Sequence, residues 1–126
     1  MITEDHVSFE TAKLLKEKGF PQELGEEGCI NTIPYYTQNG GLVTCDINTI
    51  RQRFCPEAAS PTLQMAMKWL REVHNIFIQV ELYKYDDYCF EVFQNTHSLI
   101  VEKDEVYNSY EAACEAAIKY CLENLI

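Results

Sequence analysis

The chain has 126 residues, a length that suits one domain with a hydrophobic core of its own. Apolar residues make up 47% and charged residues 24%, which excludes a disordered chain, a collagen-like repeat and a long coiled coil. The net charge is −10 and the basic residues are scattered among the acids, so direct binding to nucleic acid or to an anionic membrane is disfavoured.

The first predicted helix covers residues 9–18. Ser8 is expected to cap its N-terminus, and Gly19 to end it in a left-handed conformation before Pro21. Two strands, 33–37 and 42–47, flank the turn sequence Asn39-Gly40 and predict a hairpin. The segment 49–59 is expected to be a loop with a short helix around residues 50–54.

The second predicted helix covers residues 61–74. Ser60 is expected to cap it, Pro61 to take its first position and Asn75 to end it. An apolar stripe recurs at helical spacing and predicts a buried face. The stripe comprises Leu63, Ala66, Met67, Leu70 and Val73.

Residues 76–83 and 88–94 alternate between apolar and polar side chains and predict a second hairpin, with Asp86-Asp87 in its turn. Residues 99–101 form a shorter predicted strand. The third helix is expected to begin after Asn108 or Ser109 and to reach Asn124. Its apolar stripe comprises Tyr110, Ala113, Cys114, Ala117, Ile118, Cys121, Leu122 and Leu125.

These elements predict the order α-β-β-α-β-β-(β)-α. The sequence therefore favours the α+β class, with one antiparallel sheet of four or five strands and three helices packed mainly on one of its faces. We find no repeat, linker or low-complexity tract, so a single domain over residues 1–126 is predicted.

Residues 1–8 lack the features of a secretion signal, and no apolar run approaches the roughly 18 residues of a membrane helix. We expect a cytoplasmic protein whose cysteines are free and mostly buried. Zinc sites usually need a close cysteine pair, and no C-x-x-C occurs, so neither a metal nor another cofactor is predicted. The cysteines are Cys29, Cys45, Cys55, Cys89, Cys114 and Cys121.

Catalysis by a serine or cysteine needs a nearby base that a third group orients. The candidate bases are His6, His74 and His97, and no local signature joins them to a nucleophile. His74 ends a predicted helix, where a cation suits the helix dipole, and this is a structural reason for its position. No catalytic residue is predicted.

Eight tyrosines, against six phenylalanines and one tryptophan, are the most unusual feature of the composition. Tyrosines in strands and turns suit a half-buried pleated surface, and they also form contact surfaces for partners. Both interpretations stay open. The candidate interaction surface comprises Tyr35, Tyr36, Trp69, Tyr83, Tyr85 and Tyr88.

The helix that begins at Ser60 carries the pattern P-T-x6-W-L-R-E, formed by Pro61, Thr62 and residues 69–72. In this pattern the chain resembles a group of small phage-, prophage- and mobile-element-associated proteins of gut Bacteroidetes. The segments 8–20 and 110–125 resemble the same group more loosely. The resemblance implies a short accessory protein in a bacterial cytoplasm and transfers no catalytic or binding residue.

The absence of a catalytic constellation, the acidic charge and the surplus of tyrosines favour a protein that acts by binding another protein. Two alternatives stay open: a small enzyme with Cys or His chemistry, and an acidic mimic of nucleic acid. A homodimer through an uncovered strand edge is a further possibility.

Overall fold

The computed structural model describes residues 2–22, 33–45, 56–95, 98–101 and 105–126. Within these ranges the chain has an α+β fold with three helices and small antiparallel sheets, which confirms the predicted class. In chain order the elements are α1 (Phe9–Glu17), β1 (Ile33–Thr37), β2 (Leu42–Cys45), β3 (Pro56–Ala59), α2 (Leu63–His74), β4 (Ile76–Lys84), β5 (Asp87–Gln94), β6 (Ser98–Val101) and α3 (Tyr110–Asn124).

The chain divides into two compact units, an N-terminal unit (His6–Thr62) and a C-terminal unit (Met1–Asp5 with Leu63–Ile126). The sequence predicts a single sheet, whereas the strands of the described residues form two three-stranded antiparallel sheets, in the orders β2-β1-β3 and β4-β5-β6. The first sheet belongs to the N-terminal unit and the second to the C-terminal unit. The single domain over residues 1–126 stays a prediction of the sequence.

In the N-terminal unit, α1 contacts β3. Ser8 caps α1 as predicted, because its hydroxyl oxygen accepts a hydrogen bond of 3.2 Å from the Thr11 N–H. Gly19 follows the helix with a φ of 97°, the left-handed conformation that the sequence predicts. Among the described residues of this unit, the buried apolar ones include Val7, Ala12, Leu15, Phe20, Tyr35, Ala58 and Ala59.

Strand β3 lies in the segment 49–59, which the sequence predicts to be a loop. Ala59 pairs with Tyr35 of β1, and Ala58 pairs with Tyr36. Alanine has a low strand propensity, so the local sequence gives little sign of this strand, and pairing with β1 decides its conformation. The short helix predicted around residues 50–54 lies outside the described residues.

The hairpin of β1 and β2 forms as predicted, but its turn differs from the two-residue type. Tyr36 pairs with Leu42, and the Gly40 N–H donates a hydrogen bond of 2.9 Å to the Thr37 carbonyl oxygen. Gly40 has a φ of 83°, whereas Asn39 does not have a positive φ. This is the pattern of a three-residue connection, in which a left-handed glycine follows a type I turn.

In the C-terminal unit, α2 contacts β4 and α3, and α3 also contacts β5. Ser109 caps α3, since its hydroxyl oxygen accepts a hydrogen bond of 3.1 Å from the Ala112 N–H. The predicted stripe of α3 is buried from Ala113 to Leu122, including Cys114 and Cys121. No helix within the described ranges has both the length and the apolar composition that crossing a bilayer requires.

Helix α2 differs from its prediction at its N-terminal end and at Val73. It begins at Leu63, and Ser60 is a buried residue that donates its hydroxyl to the Val7 carbonyl oxygen at 3.3 Å, so it does not cap the helix. Asn75 ends the helix with a φ of 54°, as predicted. Val73 is 59% exposed, although it continues the apolar stripe. At about 100° per residue, Val73 lies about 70° from the middle of the buried face, at the edge of the stripe.

Candidate interaction surface

The hairpin of β4 and β5 ends in three exposed apolar or aromatic side chains. Leu82, Tyr83 and Tyr85 are exposed to 60%, 57% and 84% of their maximal area, and we call these three residues the hairpin tip. The sequence singles out both tyrosines but not Leu82. Leu82 continues the apolar alternation of β4, a pattern that alone predicts burial, but it lies two residues from the end of β4 and is exposed.

Tyr85 lies in the tight turn of this hairpin. Lys84 pairs with Asp87, so Tyr85 and Asp86 are the central residues of the turn. Tyr85 has a φ of 57°, a left-handed conformation that costs a bulky residue about 1–2 kcal/mol. The Lys84 ammonium lies 5.5 Å from the centre of the Tyr85 ring. The turn therefore presents a large aromatic side chain at a position where glycine or asparagine is the more stable choice.

Tyr88 follows the turn on β5, opposite Leu82, and is half-buried. Its ring packs edge-to-face against Tyr110, with 6.2 Å between the ring centres. Tyr107 stacks on Phe90 at 5.8 Å. Burial raises the pKa of Tyr107, and the hydrogen bond to Glu105 and the charge of that carboxylate act in the same direction. Tyr88 thus belongs to an aromatic cluster that joins β5 to the start of α3.

Tyr35 and Tyr36 belong to the N-terminal unit, and their contacts give each a structural role. Tyr35 is 4% exposed and donates its hydroxyl to the Gln22 carbonyl oxygen at 2.8 Å. Tyr36 donates its hydroxyl to the Val7 carbonyl oxygen at 2.7 Å and packs edge-on against Phe9. Hydroxyl groups that already have backbone partners, in side chains with little exposed area, leave these two tyrosines little to offer a partner.

Trp69 lies on α2 and is half-buried. Its ring packs edge-on against His74, with 4.7 Å between the ring centres. The Nε2 atom of His74 is buried and has no hydrogen-bond partner among the described residues. The aromatic contact covers the last turn of α2, which agrees with a structural role for both side chains.

The described cysteines have inaccessible thiols. Cys89, Cys114 and Cys121 are buried and carry thiols instead of disulfides. Burial raises the pKa of the Cys114 thiol to about 11 and that of the Cys121 thiol to about 12, so both are protonated at neutral pH. Cys29, Cys55, His97 and the side chain of Cys45 lie outside the described residues.

The remaining candidates for chemistry are also accounted for by their contacts. His6 is exposed, and its Nδ1 atom lies 2.8 Å from the Ser60 carbonyl oxygen. In the described part of the chain, no three His, Cys, Asp or Glu side chains come together where they could hold a metal ion. The hairpin tip is therefore the feature of the described chain that most resembles a binding surface.

Comparisons with known proteins identify no relative of this chain. No protein-family model matches the chain, and no curated protein or solved structure matches it either. We therefore infer a function from the residues and contacts described above.

Proposed function

We propose that this protein acts by binding another protein through the hairpin tip formed by Leu82, Tyr83 and Tyr85. The observation that carries the proposal is the exposure of these three side chains at one end of the hairpin, which ranges from 57% to 84%. Tyrosine is enriched in interfaces because it combines a large apolar ring with a polar hydroxyl. The left-handed conformation of Tyr85 adds support, since strained residues are often kept where function needs them.

The charge of the chain indicates the kind of partner. A net charge of −10 favours a basic protein, because complementary charge steers the encounter and disfavours acidic competitors. The P-T-x6-W-L-R-E pattern supports a short accessory protein of a phage or mobile element that works in a bacterial cytoplasm. In this proposal the partner is a basic protein of the host or the phage.

On the residues that the structure describes, an enzyme with Cys or His chemistry is the weaker alternative. A nucleophilic cysteine needs an accessible thiolate, whereas Cys89, Cys114 and Cys121 are buried and burial raises the pKa values of the latter two. The acidic mimic of nucleic acid stays a prediction of the sequence. Displacement of a captured partner by duplex DNA would favour it.

The test is quantitative capture of proteins from a lysate of gut Bacteroidetes cells. The bait is the tagged chain, compared with the double variant Tyr83→Ser, Tyr85→Ser. We expect at least one basic protein to be captured by the original chain and to be strongly depleted with the double variant, because the variant loses two exposed rings.

Val73→Ser is the matched control variant. Val73 is 59% exposed and belongs to the same unit, but it lies on α2 just before β4 begins. The part of β4 from Ile76 to Leu82, the first residue of the hairpin tip, separates Val73 from the tip by about 20 Å. Capture should be retained by Val73→Ser. Identical sets of proteins on all three baits would contradict the proposed function.

A further inference from the structure

Strand β4 lies at the edge of its sheet. The strand order is β4-β5-β6, and among the described residues β4 pairs with β5 alone. It is nine residues long and continuous in register with β5 from Ile76 to Leu82. A long strand with one unpaired side can accept a further strand, which makes this edge a candidate docking site.

Hydrogen bonds at both ends of the hairpin identify the backbone groups on the open side of β4. Near the turn, Tyr88 and Tyr107 exchange two backbone hydrogen bonds of 2.7 Å, so both backbone groups of Tyr88 face away from β4. Its partner Leu82 is therefore in a pair without hydrogen bonds to β5. At the other end, the Asn95 N–H donates a bond of 2.9 Å to the Asn75 carbonyl oxygen.

Both ends of the hairpin give the same alternation of hydrogen-bonded and non-hydrogen-bonded pairs. Antiparallel pairs alternate between hydrogen-bonded and non-hydrogen-bonded, and the register between Asn75 and Leu82 has no irregularity. Phe77, Gln79 and Glu81 therefore bond to β5. Ile78, Val80 and Leu82 point their N–H and C=O groups toward the open side.

Charge decides which strand this edge accepts. The hairpin contains the acidic residues Glu81, Asp86, Asp87 and Glu91, and a single basic residue, Lys84. A second copy of the chain would bring the same excess of negative charge to the contact. A basic extended segment brings the opposite charge, and its backbone can bond to β4 whatever its exact sequence.

We infer that the open edge of β4 accepts an extended, basic segment of a partner protein as an additional strand, hydrogen-bonded to Ile78, Val80 and Leu82. This inference rests on the proposed function and specifies how the partner binds. Tyr83 and Tyr85 lie at the end of that edge and contact the side chains of the added segment. Backbone hydrogen bonds supply affinity, while the carboxylates of the hairpin select against acidic segments.

The probe is a synthetic peptide as long as β4, nine residues, in which lysine alternates with valine. A second peptide carries glutamate in place of lysine. A third keeps the lysines but is N-methylated on the alternate residues that face β4, which removes its hydrogen-bond donors. Binding is measured by fluorescence anisotropy with the full chain, and contacts are located by amide hydrogen exchange.

We expect the basic peptide to bind and the glutamate peptide not to bind. N-methylation should weaken binding by about tenfold or more, because at least two hydrogen bonds are lost. On binding, the amide protons of Ile78, Val80 and Leu82 should exchange more slowly, while that of Gln79, already bonded to β5, should change little. Higher ionic strength should weaken binding, since charge contributes to it.

A variant of the chain tests the same edge. Val80→Pro removes an outward N–H group without removing a bond to β5, and edge strands tolerate proline at such positions. Val80→Ala is the matched control, because it shortens the side chain and keeps the N–H group. We expect Val80→Pro to weaken peptide binding about tenfold relative to Val80→Ala. If Val80→Pro does not fold, the comparison of the methylated with the unmethylated peptide tests the hydrogen bonding to β4 by itself.

The possible results separate this inference from the function on which it rests. Three results would overturn the inference that β4 accepts an added basic strand. The methylated and unmethylated peptides could bind equally well, or the basic peptide could fail to bind. The chain could also form dimers that Val80→Pro abolishes. If the inference fails while the double variant Tyr83→Ser, Tyr85→Ser still loses its captured protein, the hairpin tip remains the binding surface. If that capture is also unchanged, the proposed function fails too.

Discussion

Tyr36 donates its hydroxyl to the carbonyl oxygen of Val7 across 2.7 Å, and so ties the centre of β1 to the chain just before α1. The ring of Tyr36 also packs edge-on against Phe9, with 5.2 Å between the ring centres. The same Val7 carbonyl oxygen accepts a weaker bond from the Ser60 hydroxyl at 3.3 Å. One carbonyl group thus joins three segments of the N-terminal unit.

Replacing Tyr36 by phenylalanine should lower the free energy of unfolding by about 1 kcal/mol. The variant loses one hydrogen bond and keeps the ring contact, and the Val7 carbonyl oxygen retains the Ser60 hydroxyl as a partner. Urea denaturation measures the change. Tyr83→Phe is the control: Tyr83 is 57% exposed, and its replacement should change stability by less than about 0.5 kcal/mol. Equal losses in the two variants would contradict the structural role of the Tyr36 hydroxyl.

Replacing Ser109 by alanine should cost about 1 kcal/mol, because the hydroxyl oxygen satisfies the Ala112 N–H at the start of α3. Ser109→Asp should retain most of the stability, since aspartate also caps and its charge suits the helix dipole. Thermal denaturation followed by circular dichroism distinguishes the two variants. A loss of the same size in Ser109→Asp would show that the cap is not the cause.

The turn at Tyr85 predicts an unusual order of stability among variants. With a φ of 57°, Tyr85→Gly should be more stable than Tyr85→Ala by about 1 kcal/mol, because alanine is strained in the left-handed region and glycine is not. At Tyr83, which belongs to β4 and does not have a positive φ, the order should reverse, so that Tyr83→Ala is more stable than Tyr83→Gly. Urea denaturation of the four variants measures both differences. The same order at both positions would contradict the left-handed conformation of Tyr85.

The buried thiol of Cys121 predicts a loss of stability at alkaline pH. Burial raises its pKa in the folded chain to about 12, above the ordinary value of 9.0, so the unfolded chain releases this proton first as the pH rises. The contribution of Cys121 is fully present below pH 9 and is lost progressively between about pH 9 and pH 12. Urea denaturation at a series of pH values should therefore show a falling free energy of unfolding.

Cys121→Ala isolates this contribution, because other groups also titrate in the same range. The pKa of Cys114 is raised to about 11, and that of Tyr107 is raised as well, so the variant should keep a shallower alkaline decline. The comparison concerns the slope against pH, since removing the Cys121 side chain also changes stability at neutral pH. Identical slopes in the two proteins would count against a buried, protonated thiol.

Much of the local structure can be predicted from single residues and their close neighbours in the sequence. Ser8 and Ser109 cap their helices, Gly19 and Asn75 end theirs in left-handed conformations, and the alternation of β4 and β5 marks their hairpin. These signals depend on neighbours within a few residues, so they can be recognised in the amino-acid sequence alone. The short alanine strand β3 lacks such a signal, because its conformation depends on pairing with β1.

The candidate interaction surface, too, was only partly predictable from the sequence. An aromatic surplus can be counted in the sequence, but the sequence treats Tyr35, Tyr36, Tyr83 and Tyr85 alike. The fold buries Tyr35, and it gives the hydroxyl groups of Tyr35 and Tyr36 backbone partners. It leaves Tyr83 and Tyr85 exposed around a tight turn. Exposure depends on which distant segments pack against a side chain, and residue type does not determine it.

The sequence by itself therefore determined the α+β class, the hairpins and the helix ends other than the start of α2, because caps, turn residues and periodicity are local properties. Only the tertiary structure decided that the described strands form two sheets, that β4 is an edge strand, and which of the tyrosines remain exposed. Sheet order and exposure arise from contacts between residues far apart in the chain. The energy of those contacts depends on the packed arrangement as a whole, which no short stretch of sequence specifies.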